Sequence, residues 1–186
     1  MIVTKKRSQA DVIELLECGY NFFGENKVQE MNEKFFSLRK NYKFNVHLIG
    51  PLQSNKVKLV LKIADAIQSI DRTSLVDQII KYWKAESATK EFFIQVNIGQ
   101  EPQKSGILPD KVKFLYDYCI TKGLPIHGLM CIPPNVENPS EYFAKMRDIR
   151  DSLSKNLKLS MGMSNDYDFA IQNGANIIRI GSLVFD

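Results

Sequence analysis

Short apolar runs and longer amphipathic stretches take turns along this chain of 186 residues. Residues 2–4 read as a first strand, after which Ser8 opens a helix with Asp11 placed for a capping box. Val12, Leu15 and Leu16 mark the buried stripe of that helix, and Gly19 suits its left-handed end. Residues 20–23 predict a second strand that closes on Gly24, Glu25 and Asn26; Val28, Met31, Phe35 and Leu38 then recur at helical spacing. A third strand is expected over 45–49, ahead of a helix capped by Ser54 and carrying Val57, Val60, Leu61 and Ala64. The fourth covers 66–70 with Asp71 at its end. Thr73 or Ser74 caps the next helix, whose inner face is Leu75, Val76, Ile79, Ile80 and Trp83.

The run 92–98 is almost continuously apolar, as a buried parallel strand should be. A longer loop over 99–108 leads to a helix opened by Pro109 and Asp110, with Val112, Leu115, Tyr116, Cys119 and Ile120 on one face. Strands at 126–131, 157–159 and 175–180 complete the set; Phe143, Met146, Ile149 and Leu153 mark the helix after the sixth, and Phe169, Ala170 and Ile171 the helix after the seventh.

Eight strands separated by helices must run parallel, and their number is that of a (β/α)8 TIM-like barrel. An open doubly wound sheet is the alternative. No Pro/Gly/Ser linker divides the chain, so residues 1–186 are expected to form a single domain. Such barrels usually reach about 250 residues. The pattern shows no helix before the first strand or after the eighth, so the barrel is expected to lack a terminal helix over that seam.

Composition narrows the partners. The net charge of +4 is mild and its lysines are spread, which argues against nucleic acid and leaves room for a small anion. Cys18, Cys119 and Cys131 are odd in number and show no metal or redox spacing, which fits a reducing, cytoplasmic setting. The two histidines, His47 and His127, have no ligand partners at metal spacing. No apolar run approaches the roughly 20 residues of a membrane span, and the N-terminus has no signal core.

In a barrel of this kind chemistry sits at the C-terminal ends of the strands. The residues there are Lys5, Lys6, Asn26, His47, Asp71, Asn97, Met130, the segment 160–164, Arg179, Gly181 and Ser182. They hold no Ser–His–Asp set, no carboxylate pair and no Cys–His pair. The Gly/Ser turns after the last two strands, each beside a helix start, suit an anion; two ordinary strand-to-helix turns are the plain alternative. A lysine at the mouth of the first strand, desolvated and near another cation, would have its pKa lowered and form a Schiff base. Lysine, anion cup and Arg179 together suggest pyridoxal 5′-phosphate held as an internal aldimine. The competing reading makes Lys5 and Lys6 a solvated basic start.

The segments IVTKKRS, FFGENKVQEM, VHLIGPLQSNKVKLV, SIDRTSLV, FIQVNIGQEPQKSG, HGLMCIPP, LSMGMSNDYDFAI and IIRIGSLVFD resemble, in order and over the whole chain, the pyridoxal phosphate homeostasis proteins. The resemblance implies a fold like the barrel domain of alanine racemase. It implies that Lys5, following Val3 and Thr4, is the aldimine lysine with Lys6 its neighbour. Ser164, Gly181 and Ser182 would hold the phosphate, Arg179 would face the pyridine nitrogen and Asn26 would lie close to the cofactor. His47, Leu52, Asn55 and Met130 sit on matching segments and would line the pocket; for His47 the alternative is a hydrogen-bonded strand histidine that touches no ligand. Family members usually begin with a helix before the lysine strand and extend past the last one. Here the lysine stands at position 5 and the sequence stops at Asp186, so closure of the barrel is what the departure puts in question.

Arg179 stays protonated, so a ring nitrogen bonded to it remains an acceptor and the ring a weak electron sink. A racemase would also need a second acid/base across the cofactor. Tyr20, Tyr116 and Tyr118 do not fall at strand ends, and Tyr167 lies in the first turn of the following helix. The expected function is therefore a non-catalytic carrier of pyridoxal phosphate in its cellular homeostasis, a monomer serving pyridoxal phosphate-dependent apo-enzymes. An amino-acid racemase is the runner-up, and a class I aldolase-like barrel without cofactor the third reading.

Overall fold

The computed structural model describes residues 1–83 and 90–185. The strands are β1 (Ile2–Val3), β2 (Phe22–Glu25), β3 (Asn45–Leu48), β4 (Ala66–Ile70), β5 (Glu91–Val96), β6 (Gly128–Cys131), β7 (Lys158–Met163) and β8 (Ile177–Arg179). The helices that follow them in turn are α1 (Gln9–Glu17), α2 (Val28–Phe35), α3 (Val57–Ile63), α4 (Thr73–Tyr82), α5 (Val112–Thr121), α6 (Ser140–Leu153), α7 (Tyr167–Gln172) and α8 (Ser182–Phe185). Every strand pairs in parallel with its sequence neighbour, in the order β1 to β8. A parallel bridge from Ile2 to Ile180 returns the sheet on itself, with Val3 N donating to Ile180 O at 2.7 Å and Ile180 N to Met1 O at 3.0 Å. The barrel reading holds and the open sheet does not.

Strand alternation sorts the apolar residues into two cores. Ala66, Phe93, Met130 and Ile177 fill the barrel, with Met1 and Phe22 against them. Phe23, Val46, Leu48, Phe92, Ile94, Leu129 and Leu159 face outward into the layer of helices. The interior is crowded at Phe93. A methyl group at Gly128 would stand 2.4 Å from that ring and 2.5 Å from the Lys158 carbonyl, so only glycine fits beside it.

Local chemistry sets several of the element ends. Ser8 accepts from Asp11 N while Asp11 accepts from Ser8 N, the capping box that starts α1. At α4, Thr73 is the first helical residue and Arg72 holds the cap position, so neither hydroxyl residue caps as expected. Arg72 instead bonds Asp71 at 2.6 Å and the Leu52 carbonyl at 3.0 Å, tying the end of β4 to the loop after β3.

Two differences from the sequence reading matter for the site. The second strand lies two residues later than its apolar run suggested, because pairing with β3 begins at Phe22 opposite Asn45 while Tyr20 remains exposed. Gly24 and Glu25 thereby become strand residues. The seam, second, is not bare: a single helical turn, α8, follows β8, and the Phe185 ring lies under the Arg7 guanidinium at 4.4 Å. Its Leu183 and Val184 remain exposed.

Candidate functional site

Because all eight strands point the same way, their C-terminal ends share one rim. Lys5 follows β1, Asn26 follows β2, Ser164 follows β7, and Gly181 and Ser182 follow β8. Arg179, the last residue of β8, lies inside that rim. Met163 stands opposite Arg179 in the β7–β8 register, which sets Ser164 beside the end of β8. Met163 N donates to Asp166 Oδ1 at 2.5 Å and Asp166 N to Met163 O at 3.0 Å, closing a turn that presents a half-buried Ser164. Gly181 lies against Val3 of β1, so the β8 end and the Lys5 turn are neighbours. Ser182 is exposed at the start of α8. The structure thus brings Ser164, Gly181 and Ser182 together next to Lys5. Asn26 reaches the same rim from β2, its backbone packed on Gly50: a methyl group there would stand 2.0 Å from the Asn26 carbonyl oxygen.

Arg179 is the unusual group. It is 3% exposed, and burial pulls its pKa below the ordinary value, although a guanidinium keeps its charge. Among the described residues its hydrogen bonds go to Ser160 Oγ at 3.0 Å and the Cys131 carbonyl at 2.7 Å, both uncharged. No carboxylate hydrogen-bonds it among the described residues, and Asp166 acts on it only through space, against the larger effect of burial, so a further acceptor would be welcome. Its five N–H groups are not exhausted by two bonds.

Behind Arg179 a relay crosses the barrel. Ser160 Oγ accepts from Arg179, so its single hydrogen goes to Gln68 Oε1 at 2.7 Å. The Gln68 amide then donates through Nε2 to His47 Nδ1 at 2.8 Å. That direction leaves His47 neutral with its proton on Nε2, and burial pushes its pKa down to about 4. His47 pairs in register with Ala66, and Ala66 with Glu91, so it lies near the strand starts, among the charges of Glu91, Asp65 and Lys158. Its place is that of a hydrogen-bonded strand histidine in the barrel floor. Met130 is inside the barrel, level with Ser160; Leu52 is buried in the outer core and Asn55 is exposed.

Some expectations change. Lys5 is exposed in a turn, so the desolvation that the sequence argument invoked is not supplied by protein groups. Asn97 shapes the loop after β5, donating to the Glu101 and Lys104 carbonyls and accepting from Glu101 N. Asp71 is paired with Arg72.

Sequence reasoning missed the ion cluster beside Lys5. Glu25, fully buried, accepts from Thr4 Oγ1 at 2.6 Å and Lys34 Nζ at 2.8 Å. Lys34 also donates to the Thr4 carbonyl at 2.7 Å and to Glu30 at 3.2 Å. The signal was present in α2, where Lys34 falls three residues after Met31 and next to Phe35, within the buried stripe.

No protein-family profile matches the chain. A pyridoxal phosphate homeostasis protein of Aquifex aeolicus is 40% identical over 181 residues, covering 92% of this chain and 79% of that protein. One from Helicobacter pylori is 34% identical over 189 residues, covering 98% and 85%. The chain belongs to the family of pyridoxal phosphate homeostasis proteins. The structure of PipY from Synechococcus elongatus with PLP bound superposes with a TM-score of 0.89, at 28% identity over 100% of this chain and 92% of PipY. Alanine racemase of Clostridium difficile shares the fold, with a TM-score of 0.76 at 11% identity over 99% of this chain and 51% of that enzyme. Among the described residues no helix is long and apolar enough to cross a membrane.

Proposed function

We propose that this chain, acting as a single barrel domain, binds pyridoxal 5′-phosphate at the rim and serves its homeostasis as a carrier rather than an enzyme. The observation that carries the reading is Arg179, a buried guanidinium at the rim whose hydrogen bonds, among the described residues, go only to neutral acceptors. It fits a pyridine nitrogen, which accepts a hydrogen bond and brings no proton of its own. The Ser164 and Ser182 hydroxyls and the Gly181 backbone, gathered at two neighbouring strand ends, suit a phosphate. Asn26 borders the same space from β2. Pyridoxal phosphate supplies an aldehyde that condenses with a primary amine, and Lys5 is the amine on the strand next to β8. The PLP-bound structure of PipY, alike over the whole chain, supports this ligand.

The carrier reading follows from what surrounds the rim. Arg179 keeps its protons, so a ring nitrogen bonded to it stays unprotonated and withdraws electrons weakly. Tyr167, the tyrosine nearest the Ser164 turn, is half-buried as the first residue of α7. The relatives at 34–40% identity are named for homeostasis, and the racemase likeness is one of fold. In this reading the protein is a cytoplasmic monomer that yields the aldehyde to apo-enzymes, and its free Cys18, Cys119 and Cys131 suit that compartment.

Incubation with pyridoxal phosphate, borohydride reduction and peptide mapping test the site. A single pyridoxyl adduct on Lys5 is expected; scattered labelling over surface lysines refutes it. Incubation with L- and D-alanine in deuterated water tests the rest. Rapid exchange at the α-carbon would make the protein an enzyme.

A further inference from the structure

Lys5 and Lys6 are adjacent primary amines, both exposed at the same rim. Building on the site proposed above, we infer that the ion cluster of Glu25, Lys34 and Glu30 decides which of the two reacts, by clamping the backbone on either side of Lys5.

The clamp is a set of hydrogen bonds on both sides of Lys5. Thr4 N donates to Gly24 O at 3.1 Å, the Thr4 hydroxyl to Glu25 at 2.6 Å, and Arg7 N to Thr4 O at 3.1 Å. Lys34 Nζ donates to the same Thr4 carbonyl at 2.7 Å. On the far side of Lys5, Lys6 N donates to Glu30 Oε2 at 3.0 Å. One ammonium joins the two halves, since Lys34 contacts Glu25 at 2.8 Å and Glu30 at 3.2 Å. Glu25 is fully buried and Lys34 is 6% exposed, so this is a desolvated pair that screening weakens little.

Strand alternation turns the clamp into a choice. Ile2 packs in the outer core, and Thr4 is held outward by a carboxylate on the helix side of β2. Continued one step past the end of β1, that alternation puts Lys5 on the barrel side, and Lys6 lies beyond it in the turn. Lys6 has φ of 62°, a left-handed conformation uncommon outside glycine, and its amide is the one that Glu30 holds. The bond from Lys6 N also holds the Glu30 carboxyl below its ordinary pKa, so the acceptor stays charged to lower pH. With the clamp released, the turn relaxes and either amine can swing over the rim.

The reaction being steered is a condensation. A carbon–nitrogen double bond forms between the lysine Nζ and the aldehyde carbon, and the two amine hydrogens leave with the aldehyde oxygen as water. No oxidant or reductant is needed. Lys34, Glu25 and Glu30 touch neither reacting atom and are positioning residues.

The test uses the full chain as wild type, Lys34→Met and Glu30→Ala. Each is incubated with pyridoxal phosphate, reduced and mapped, and its affinity for pyridoxine 5′-phosphate, which has no aldehyde, is measured in parallel. Wild type should carry its label on Lys5. In Lys34→Met, capture at Lys5 should slow by about tenfold or more, the scale of a misplaced reacting group. Lys6 should take a clear share of the label while pyridoxine 5′-phosphate still binds as in wild type. A cluster that merely joins α2 to β1 would not change the ratio of Lys5 to Lys6. Should Lys34→Met fail to fold, Glu30→Ala decides alone, at a carboxylate whose side chain is 25% exposed. Exclusive Lys5 labelling at the wild-type rate in the folded variants overturns the clamp and leaves the site reading intact. Wild-type labelling at neither lysine, or at Lys6, overturns both.

Discussion

Acidification from about pH 7 to about pH 4.5 should remove about 2 kcal/mol of stability through His47 alone. The imidazole is 5% exposed, and burial lowers its pKa from 6.5 to about 4. In the unfolded chain the ring takes up a proton as the pH falls through 6.5; in the barrel it stays neutral until about 4. Between those values the unfolded state binds more protons, so stability falls with pH across that window and levels off below it. The Gln68 bond to Nδ1 opposes protonation in the same sense, because an amide N–H cannot donate to a protonated nitrogen. Glu91 and Asp65 pull the other way and Lys158 adds to the depression, but desolvation is the largest cause. The variant His47→Asn keeps an acceptor for Gln68 and removes the titration. Urea denaturation at both pH values, followed by the fluorescence of the single Trp83, measures the difference. His127, whose pKa burial also lowers, and the carboxylates titrate in both proteins and cancel in the comparison. Equal loss of stability on acidification in wild type and variant, to within about 0.5 kcal/mol, would refute the reasoning.

Two further outcomes separate the parts of the rim. Lys5→Ala should abolish the borohydride-trapped adduct yet retain non-covalent pyridoxal phosphate, whereas Arg179→Ala should shift the absorbance of the bound cofactor more than it weakens binding; equal loss in both variants, read by spectroscopy and equilibrium dialysis, would refute the assignment. Gly50→Ala forces a methyl group to within 2.0 Å of the Asn26 carbonyl oxygen, backbone that has to move. It should cost about 1–3 kcal/mol in chemical denaturation and lower pyridoxal phosphate retention with it.

The barrel was legible in the sequence because its signals are local. Apolar runs with period two or none, helical stripes such as Leu75, Val76 and Ile79, and the Ser8–Asp11 cap each depend on residues a few positions apart. The rim residues were legible for a related reason. Once strands and helices alternate, every strand must point the same way, so Lys5, Asn26, Ser164, Gly181 and Ser182 fall at one end without further information.

What only the tertiary structure decided is how buried polar groups are paired. His47 finds Gln68 across 21 residues, Gln68 finds Ser160 across 92, and Ser160 finds Arg179 across 19. No periodicity encodes those distances. Glu25 read as a turn residue until the β2–β3 register made it the buried end of a strand with Lys34 against it. The closing bridge between Ile2 and Ile180 likewise depends on the curvature of the whole sheet. A polar side chain taken out of water must be satisfied by whatever the fold brings near, and that partner is fixed by packing in three dimensions, not by spacing along the chain.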